Sequence, residues 1–144
     1  KLKEIGVTPG PHYQLLKNGE TIELEDGRLI NGKDFLGPDK KGRVITILGD
    51  TRPCDHAVEL AKDADILVHE ATLDKEMEEA AYEFFHSTTH QAAQTAVKAQ
   101  VKQLVITHIS SRYEKQDWVR LEQETKEIFP NTVIAEDLKK IIVK

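Results

Sequence analysis

Residues 44–70 read VITILGDTRPCDHAVELAKDADILVHE and contain two short apolar runs separated by a helical segment. The runs at 44–48 and 66–68 are rich in β-branched residues, which is typical of strands buried on both faces. Between them, residues 55–62 have the spacing of an amphipathic helix. Strand, helix and strand in this order predict two parallel strands joined by a crossover connection.

The same alternation continues toward the C-terminus. Helices are predicted over residues 75–85, 89–99 and 118–128, and strands over 104–106 and 132–134. Residues 137–142 are expected to close the chain as a last helical turn or as an extended tail. The predicted fold class is therefore α/β, with mostly parallel strands and crossover helices.

Residues 1–43 have a different pattern. The run TPGP at 8–11 predicts a loop in an otherwise irregular segment, because its prolines remove two backbone donors. Residues 21–24 and 28–32 flank Glu25-Asp26-Gly27 and predict a β-hairpin, with Lys40 and Lys41 on a later turn. We expect one domain over residues 1–144, with a loop-and-hairpin segment at 1–43 and a strand–helix segment at 44–144.

Composition excludes several classes of protein. The 144 residues are 39% hydrophobic, and no apolar stretch approaches the ~20 residues that a membrane span needs. A net charge of −5 disfavours indiscriminate nucleic-acid binding through a basic surface. The single cysteine, Cys54, excludes a cysteine-rich zinc site and is expected to be a buried thiol. We expect a cytoplasmic protein without a membrane partner, and a chain that is part of a longer one.

Polar residues follow three of the predicted strands. Asp50, Glu70 and His108 stand where these strands end, and ligands bind at that edge in open α/β sheets. Carboxylate and imidazole groups bind zinc and also transfer protons. The alternatives are that Asp50 caps the next helix, that Glu70 is a solvated strand end, and that His108 is a hydrogen-bonded core histidine.

His86 is a fourth candidate. It precedes Thr88 and Gln91, which match a capping box at the start of a helix. A helix N-terminus favours phosphate, so His86 is placed to give a proton to a phosphoester oxygen. A loop histidine without a chemical role is the alternative.

Four short motifs occur in a fixed order: GDTRPC at 49–54, HEAT at 69–72, HST at 86–88 and THISSRY at 107–113. Together they resemble ribonuclease Z, the tRNA 3′-processing endonuclease family of the metallo-β-lactamase superfamily. The PGP loop at 9–11 with LLKNG at 15–19 also resembles the family's segment after its tRNA-clamping arm. The resemblance implies the C-terminal half of a metallo-β-lactamase-type αββα sandwich.

The resemblance also implies roles for the four candidates. Asp50 would bridge two zinc ions, and His108 would bind one of them. Glu70 would orient the imidazole of His86, which would protonate the leaving 3′ oxygen.

Contacts with RNA are implied for Arg52, Arg112 and Tyr113. Basic residues at a predicted turn are further candidates for phosphate contacts, with a solvated turn as the alternative: Lys40, Lys41 and Arg43.

The chain departs from the family in one important respect. The superfamily's His-x-His-x-Asp-His run does not occur in the sequence, and neither do a further metal-binding histidine and the tRNA-gripping arm. Asp50 and His108 are then the only direct zinc ligands expected, whereas catalytic zinc usually has three protein ligands.

The predicted function is therefore that of a half-enzyme. We expect the C-terminal half of a zinc endoribonuclease that removes the 3′ trailer of precursor tRNA and is a homodimer when complete. Its first partner would be the missing N-terminal half, and alone it would be inactive, with doubtful zinc occupancy. The alternatives are another phosphodiesterase of the superfamily, or a catalytically silent fragment that associates with a second chain.

Overall fold

The computed structural model describes residues 2–7 and 9–143, which form two compact units, Lys1–Lys41 and Gly42–Lys144. The smaller unit contains helix α1, Pro11–Lys17, and the antiparallel strands β1, Thr21–Glu23, and β2, Leu29–Asn31. Short 3₁₀ turns at Leu2–Ile5 and Gly32–Phe35 flank these elements.

The predicted hairpin is confirmed, but the prediction of an irregular segment before it was wrong at α1. Pro11 is the first residue of this helix. A proline is favoured there because the N–H it lacks would have no partner within the helix. Thr8, which belongs to the predicted loop, lies outside the described residues.

The larger unit is a parallel sheet covered by helices. Its strand order is β3-β4-β5-β6, with every neighbouring pair parallel, which confirms the α/β class. The strands are β3, Ile45–Ile47; β4, Ile66–Glu70; β5, Gln103–Thr107; and β6, Thr132–Ile134. The helices are α2, Asp55–Ala61; α3, Glu78–Glu83; α4, Thr89–Lys98; and α5, Trp118–Ile128.

Some boundaries differ from the predicted ones. β4 extends to Glu70 and β5 to Thr107. The helix predicted over 75–85 is divided into a 3₁₀ turn, Lys75–Met77, and the shorter helix α3. Residues 139–143 have no regular structure, as expected for an extended tail. Cys54 is the N-cap residue of α2 and is exposed, so the prediction of a buried thiol was wrong.

Helices cover one face of the sheet. Leu67, Leu104 and Ile106 belong to a core in which α4 supplies only small side chains, which lets the helix lie close to the strands: Ala92, Ala93 and Ala96. The predicted capping box at the start of α4 is confirmed, because Thr88 and Gln91 exchange both hydrogen bonds.

The prediction that the run at 44–48 is a strand buried on both faces was wrong, because β3 is an edge strand with one uncovered apolar face. Ile45 and Ile47 are 50% and 71% exposed, whereas Thr46 between them is buried. Successive side chains of a strand point to opposite faces, so the helices cover only the Thr46 side. Among the described residues, no helix is both long enough and apolar enough to cross a membrane.

The carboxylate of Asp65, directly before β4, contacts the residues that precede β3 and β5. It accepts hydrogen bonds from Val44 N at 2.8 Å and from Lys102 Nζ at 2.6 Å. The Lys102 contact, followed by the backbone N–H of Val44, lowers the pKa of Asp65 to about 2.

We expect this carboxylate to make stability dependent on pH. The folded-state pKa is below the unfolded value of ~3.9, so the contribution is complete above about pH 4 and is lost as the pH falls through 2. In urea denaturation from pH 6 to pH 2, the stability advantage of the unaltered chain over Asp65→Asn should shrink below pH 4. An advantage that stays constant over this range would contradict the prediction.

Candidate active site

Three of the four candidate side chains meet at one end of the sheet. Asp50 follows β3, His108 follows β5 and His86 precedes α4. One carboxylate or ring nitrogen atom of each lies within 4.8 Å of those of the other two. Asp50 Oδ1 is 3.5 Å from Nδ1 of His108, and the two imidazole centroids are 5.2 Å apart. The residues therefore have the proximity that a shared metal ion requires.

Glu70, the fourth candidate, lies beneath this cluster and is 1% exposed. Its Oε1 accepts hydrogen bonds from Thr51 N at 3.2 Å, Ser87 N at 2.9 Å and His86 Nδ1 at 3.0 Å. Its Oε2 accepts from Thr72 N at 2.9 Å and from Thr72 Oγ1 at 2.7 Å. Burial of a carboxylate is costly unless its oxygens are hydrogen-bonded, and here both are. The alternative of a solvated strand end is therefore wrong.

Thr72 connects Glu70 to His108, and sequence reasoning missed it. Its hydroxyl has one proton, which goes to Glu70 because a carboxylate only accepts. The same oxygen lies 2.7 Å from Nδ1 of His108, so it must accept from an Nδ1–H there. This leaves Nε2 of a neutral His108 with a free lone pair. The signals in the sequence were its place as the last residue of the HEAT motif and its position two residues after Glu70.

In His86, as in His108, the ring hydrogen is on Nδ1, for a similar reason. Its Nδ1 faces Oε1 of Glu70, so Nδ1 carries the proton and Nε2 is left for other chemistry. Ser87 stabilises this arrangement, because its hydroxyl donates to Thr51 O at 2.7 Å while its N–H donates to Glu70. Nε2 of His86 can thus bind a metal ion or transfer a proton.

The backbone at His108 has an uncommon conformation. Its φ is +56°, in the left-handed region that a non-glycine residue adopts at a cost of ~1–2 kcal/mol. Ser110 N donates to Thr72 O at 3.1 Å, which fixes the following loop against the residue that His108 contacts. Strain of this kind concentrates at functional sites.

The structure also excludes the alternatives stated for Asp50 and His108. Cys54, not Asp50, is the N-cap residue of α2, so Asp50 is not a capping group there. The side chain of His108 is 49% exposed, so it is not a core histidine.

The residues considered for RNA contacts are in different environments. The guanidinium of Arg52 lies against the rings of Tyr82 and Phe85, at 4.5 and 4.1 Å from their centroids. Arg112 contacts the sulfur of Met77 at 3.4 Å.

Tyr113 and Arg43 each contact another residue of the larger unit, whereas Lys40 and Lys41 belong to the smaller unit. The Tyr113 hydroxyl accepts from Asp74 N at 2.9 Å, and burial raises the pKa of Tyr113. Arg43 pairs with Asp65 at 3.4 Å. Lys40 and Lys41 are exposed at the end of the smaller unit, in a stretch without a turn.

Comparison with known proteins identifies the superfamily. A family described as "Beta-lactamase superfamily domain" matches residues 35–109, about half of the chain. The chain belongs to the beta-lactamase superfamily. It is 58% identical over 139 residues to ribonuclease Z of Bacillus anthracis, a match that covers 96% of this chain and 45% of that protein.

A second ribonuclease Z, from Bacillus cereus, is 56% identical over 144 residues, which is 100% of this chain and 47% of the relative. The chain therefore spans about half the length of the curated relatives it matches. The crystal structure of human tRNase Z, short form, is similar with a TM-score of 0.56 and 34% identity, over 81% of this chain and 37% of that one. The resemblance expected from the motifs is confirmed.

A fourth similarity concerns the fold alone. The metallo-beta-lactamase fold protein YhfI from Bacillus subtilis aligns with a TM-score of 0.58 at 22% identity, over 65% of this chain and 38% of that protein. This agrees with the expected metallo-β-lactamase architecture.

We expect Glu70→Gln to destabilise the larger unit. A glutamine would place an NH₂ group against backbone N–H donors and leave buried groups unsatisfied, at a cost of about 2–4 kcal/mol. Urea denaturation measures the change in free energy of unfolding. Glu83→Gln, on the exposed surface of α3, is the matched control and should change it by less than about 0.5 kcal/mol. Equal effects of the two substitutions would contradict the account of Glu70.

Proposed function

We propose that this chain carries part of the active site of a zinc-dependent endoribonuclease that removes the 3′ trailer of precursor tRNA. The observation that carries the proposal is the group of Asp50, His86 and His108, in which Glu70 contacts His86 directly and His108 through Thr72. The names ribonuclease Z and tRNase Z of its relatives support RNA, and tRNA in particular, as the substrate.

The donor set suits a zinc ion. Zinc accepts imidazole nitrogen and carboxylate oxygen, and the hydrogen-bond network leaves Nε2 of His108 free for coordination. Asp50 and His108 would hold the ion, which when bound supplies electrophilic stabilisation of the phosphate and activates water. A second ion would need ligands beyond those of this cluster.

His86 is the group we propose as proton donor. Glu70 binds Nδ1–H of the protonated imidazole and leaves Nε2–H available to the substrate. As water attacks phosphorus and releases its own proton to solvent, the bond from phosphorus to the ribose 3′ oxygen breaks. Transfer of the Nε2 proton to that oxygen produces a 3′ hydroxyl on the tRNA and a 5′ phosphate on the trailer.

The apolar face of β3 supports the proposal that the site is completed elsewhere. Ile45 and Ile47, five and three residues before Asp50, expose large apolar side chains at the edge of the sheet. We assign this face to contact with the remaining part that the relatives possess. Homodimerisation of the complete enzyme and a cytoplasmic location stay predictions.

We expect the chain alone to bind zinc weakly and not to cleave precursor tRNA, because water would fill most of the coordination sphere. A chimera supplies the missing ligands: the part of the Bacillus anthracis relative that this chain does not match, joined to this chain. The chimera should retain zinc through dialysis and cleave a labelled precursor tRNA. Zinc content by mass spectrometry and single-turnover cleavage are the measurements.

Two outcomes would contradict this proposal. Robust cleavage by the chain alone would show that its site is complete. A chimera that is folded and metal-loaded but cleaves no precursor tRNA would leave the silent-fragment alternative, in which the β3 face serves only to associate with another chain.

Substitutions in the chimera separate the proton donor from the metal ligands. His86→Ala should lower the single-turnover rate by about a hundredfold or more with zinc content unchanged, since it removes a positioned acid. Asp50→Ala should instead lower the zinc content. His56→Ala, an exposed histidine on α2, is the matched control and should change neither quantity. Loss of zinc from His86→Ala, with normal cleavage once zinc is restored, would make His86 a ligand instead.

A further inference from the structure

A cluster of exposed aromatic residues borders His86. Tyr82, Phe84 and Phe85 are 68%, 63% and 64% exposed. The guanidinium of Arg52 lies between Tyr82 and Phe85, within 4.5 Å of both ring centroids. Arg52 therefore covers one face of each ring, and the high exposure of both residues leaves other ring surface in contact with solvent.

Phe85 occupies a backbone position that does not favour a bulky residue. α3 ends with hydrogen bonds from His86 N to Ala81 O and from Phe85 N to Tyr82 O, the pattern in which glycine usually follows the helix. Phe85 instead adopts a φ of +63°. Asp63 and Gln100 follow the ends of α2 and α4 with similar φ values, but both are polar. The backbone conformation therefore gives no reason for an exposed aromatic ring at this position.

Both parts of this cluster are next to the candidate active site. Phe85 directly precedes His86 in the chain. Arg52 is two residues from Asp50, so the Cα atoms of Arg52 and Asp50 lie at most ~7 Å apart. A neighbouring cleft of about 320 Å³ contains Phe84, His86 and Arg112 among its lining residues. Phe84, one member of the aromatic cluster, and His86 therefore line the same cleft.

We infer that Arg52, Tyr82 and Phe85 form a stacking platform for an unpaired nucleotide adjacent to the bond that is cleaved. Single-stranded RNA is bound by stacking of its bases on aromatic rings and guanidinium planes, while positive charge attracts its phosphates. The platform has both features although the chain as a whole is acidic. The identity of this RNA as a tRNA precursor and its position next to the cleaved bond rest on the proposed function, but the stacking itself does not.

The test measures binding of a fluorescein-labelled single-stranded hexaribonucleotide to the 144-residue chain by fluorescence anisotropy. Phe85→Gly should raise the Kd about tenfold, the scale expected for loss of one stacked base. Its thermal unfolding midpoint should stay the same or rise, because glycine adopts this φ without strain. Leu138→Gly is the matched control: Leu138 is 99% exposed with a φ of +63°, and its replacement should leave the Kd unchanged.

Three outcomes would overturn the platform. One is a Phe85→Gly chain that binds the hexaribonucleotide as tightly as the unaltered chain. Another is loss of affinity together with a lowered unfolding midpoint, which would make Phe85 a structural residue. The third is a changed oligomeric state in light scattering with unchanged affinity, which would make the cluster a contact between chains.

The assay requires no cleavage, so it is independent of the proposed function. A chimera that fails to process tRNA would remove that function and leave the binding result valid. An active chimera whose chain binds RNA equally well with or without Phe85 would overturn only the platform.

Discussion

The buried carboxylate of Glu70 is the interaction on which the site depends. It accepts hydrogen bonds from Thr51 after β3, from Thr72 after β4, and from His86 and Ser87 before α4. Segments distant in sequence are thereby held around one charge at 1% exposure. Charge-assisted hydrogen bonds are stronger than neutral ones, and the loss of a donor to a buried carboxylate is costly. Each loop is therefore held in the position in which it donates to Glu70.

The hydroxyl proton of Thr72 then determines which ring nitrogen of His108 carries a hydrogen. Because Thr72 gives its proton to Glu70, it can only accept from Nδ1 of His108. Glu70 imposes the same proton position on His86 directly. Both imidazoles therefore present Nε2 away from the network, where it is available for metal binding or for proton transfer. In the proposed function, the two roles would differ in the distance of each Nε2 from the ion and from the substrate.

Sequence reasoning succeeded where local patterns determine structure. The β-branched runs gave the parallel strands, and the Thr88–Gln91 spacing gave the capping box, because both depend on residues close in sequence. It failed at α1, where two prolines and a glycine suggested only a loop, although Pro11 is favourable as the first helical residue. Thr72 was missed because its importance arises from contacts with His108, 36 residues away, which no periodicity encodes.

Left-handed backbone conformations occur at or next to both histidines of the site. His108 has this conformation itself, and Phe85 has it directly before His86. At His108, the contacts with Thr72 and Asp50 give a physical reason why the strained backbone persists. At Phe85, the stacking with Arg52 offsets part of the cost, but glycine would remove the cost entirely. Glycine at position 85 would therefore relieve the backbone strain, so the backbone conformation alone does not explain an exposed phenylalanine there.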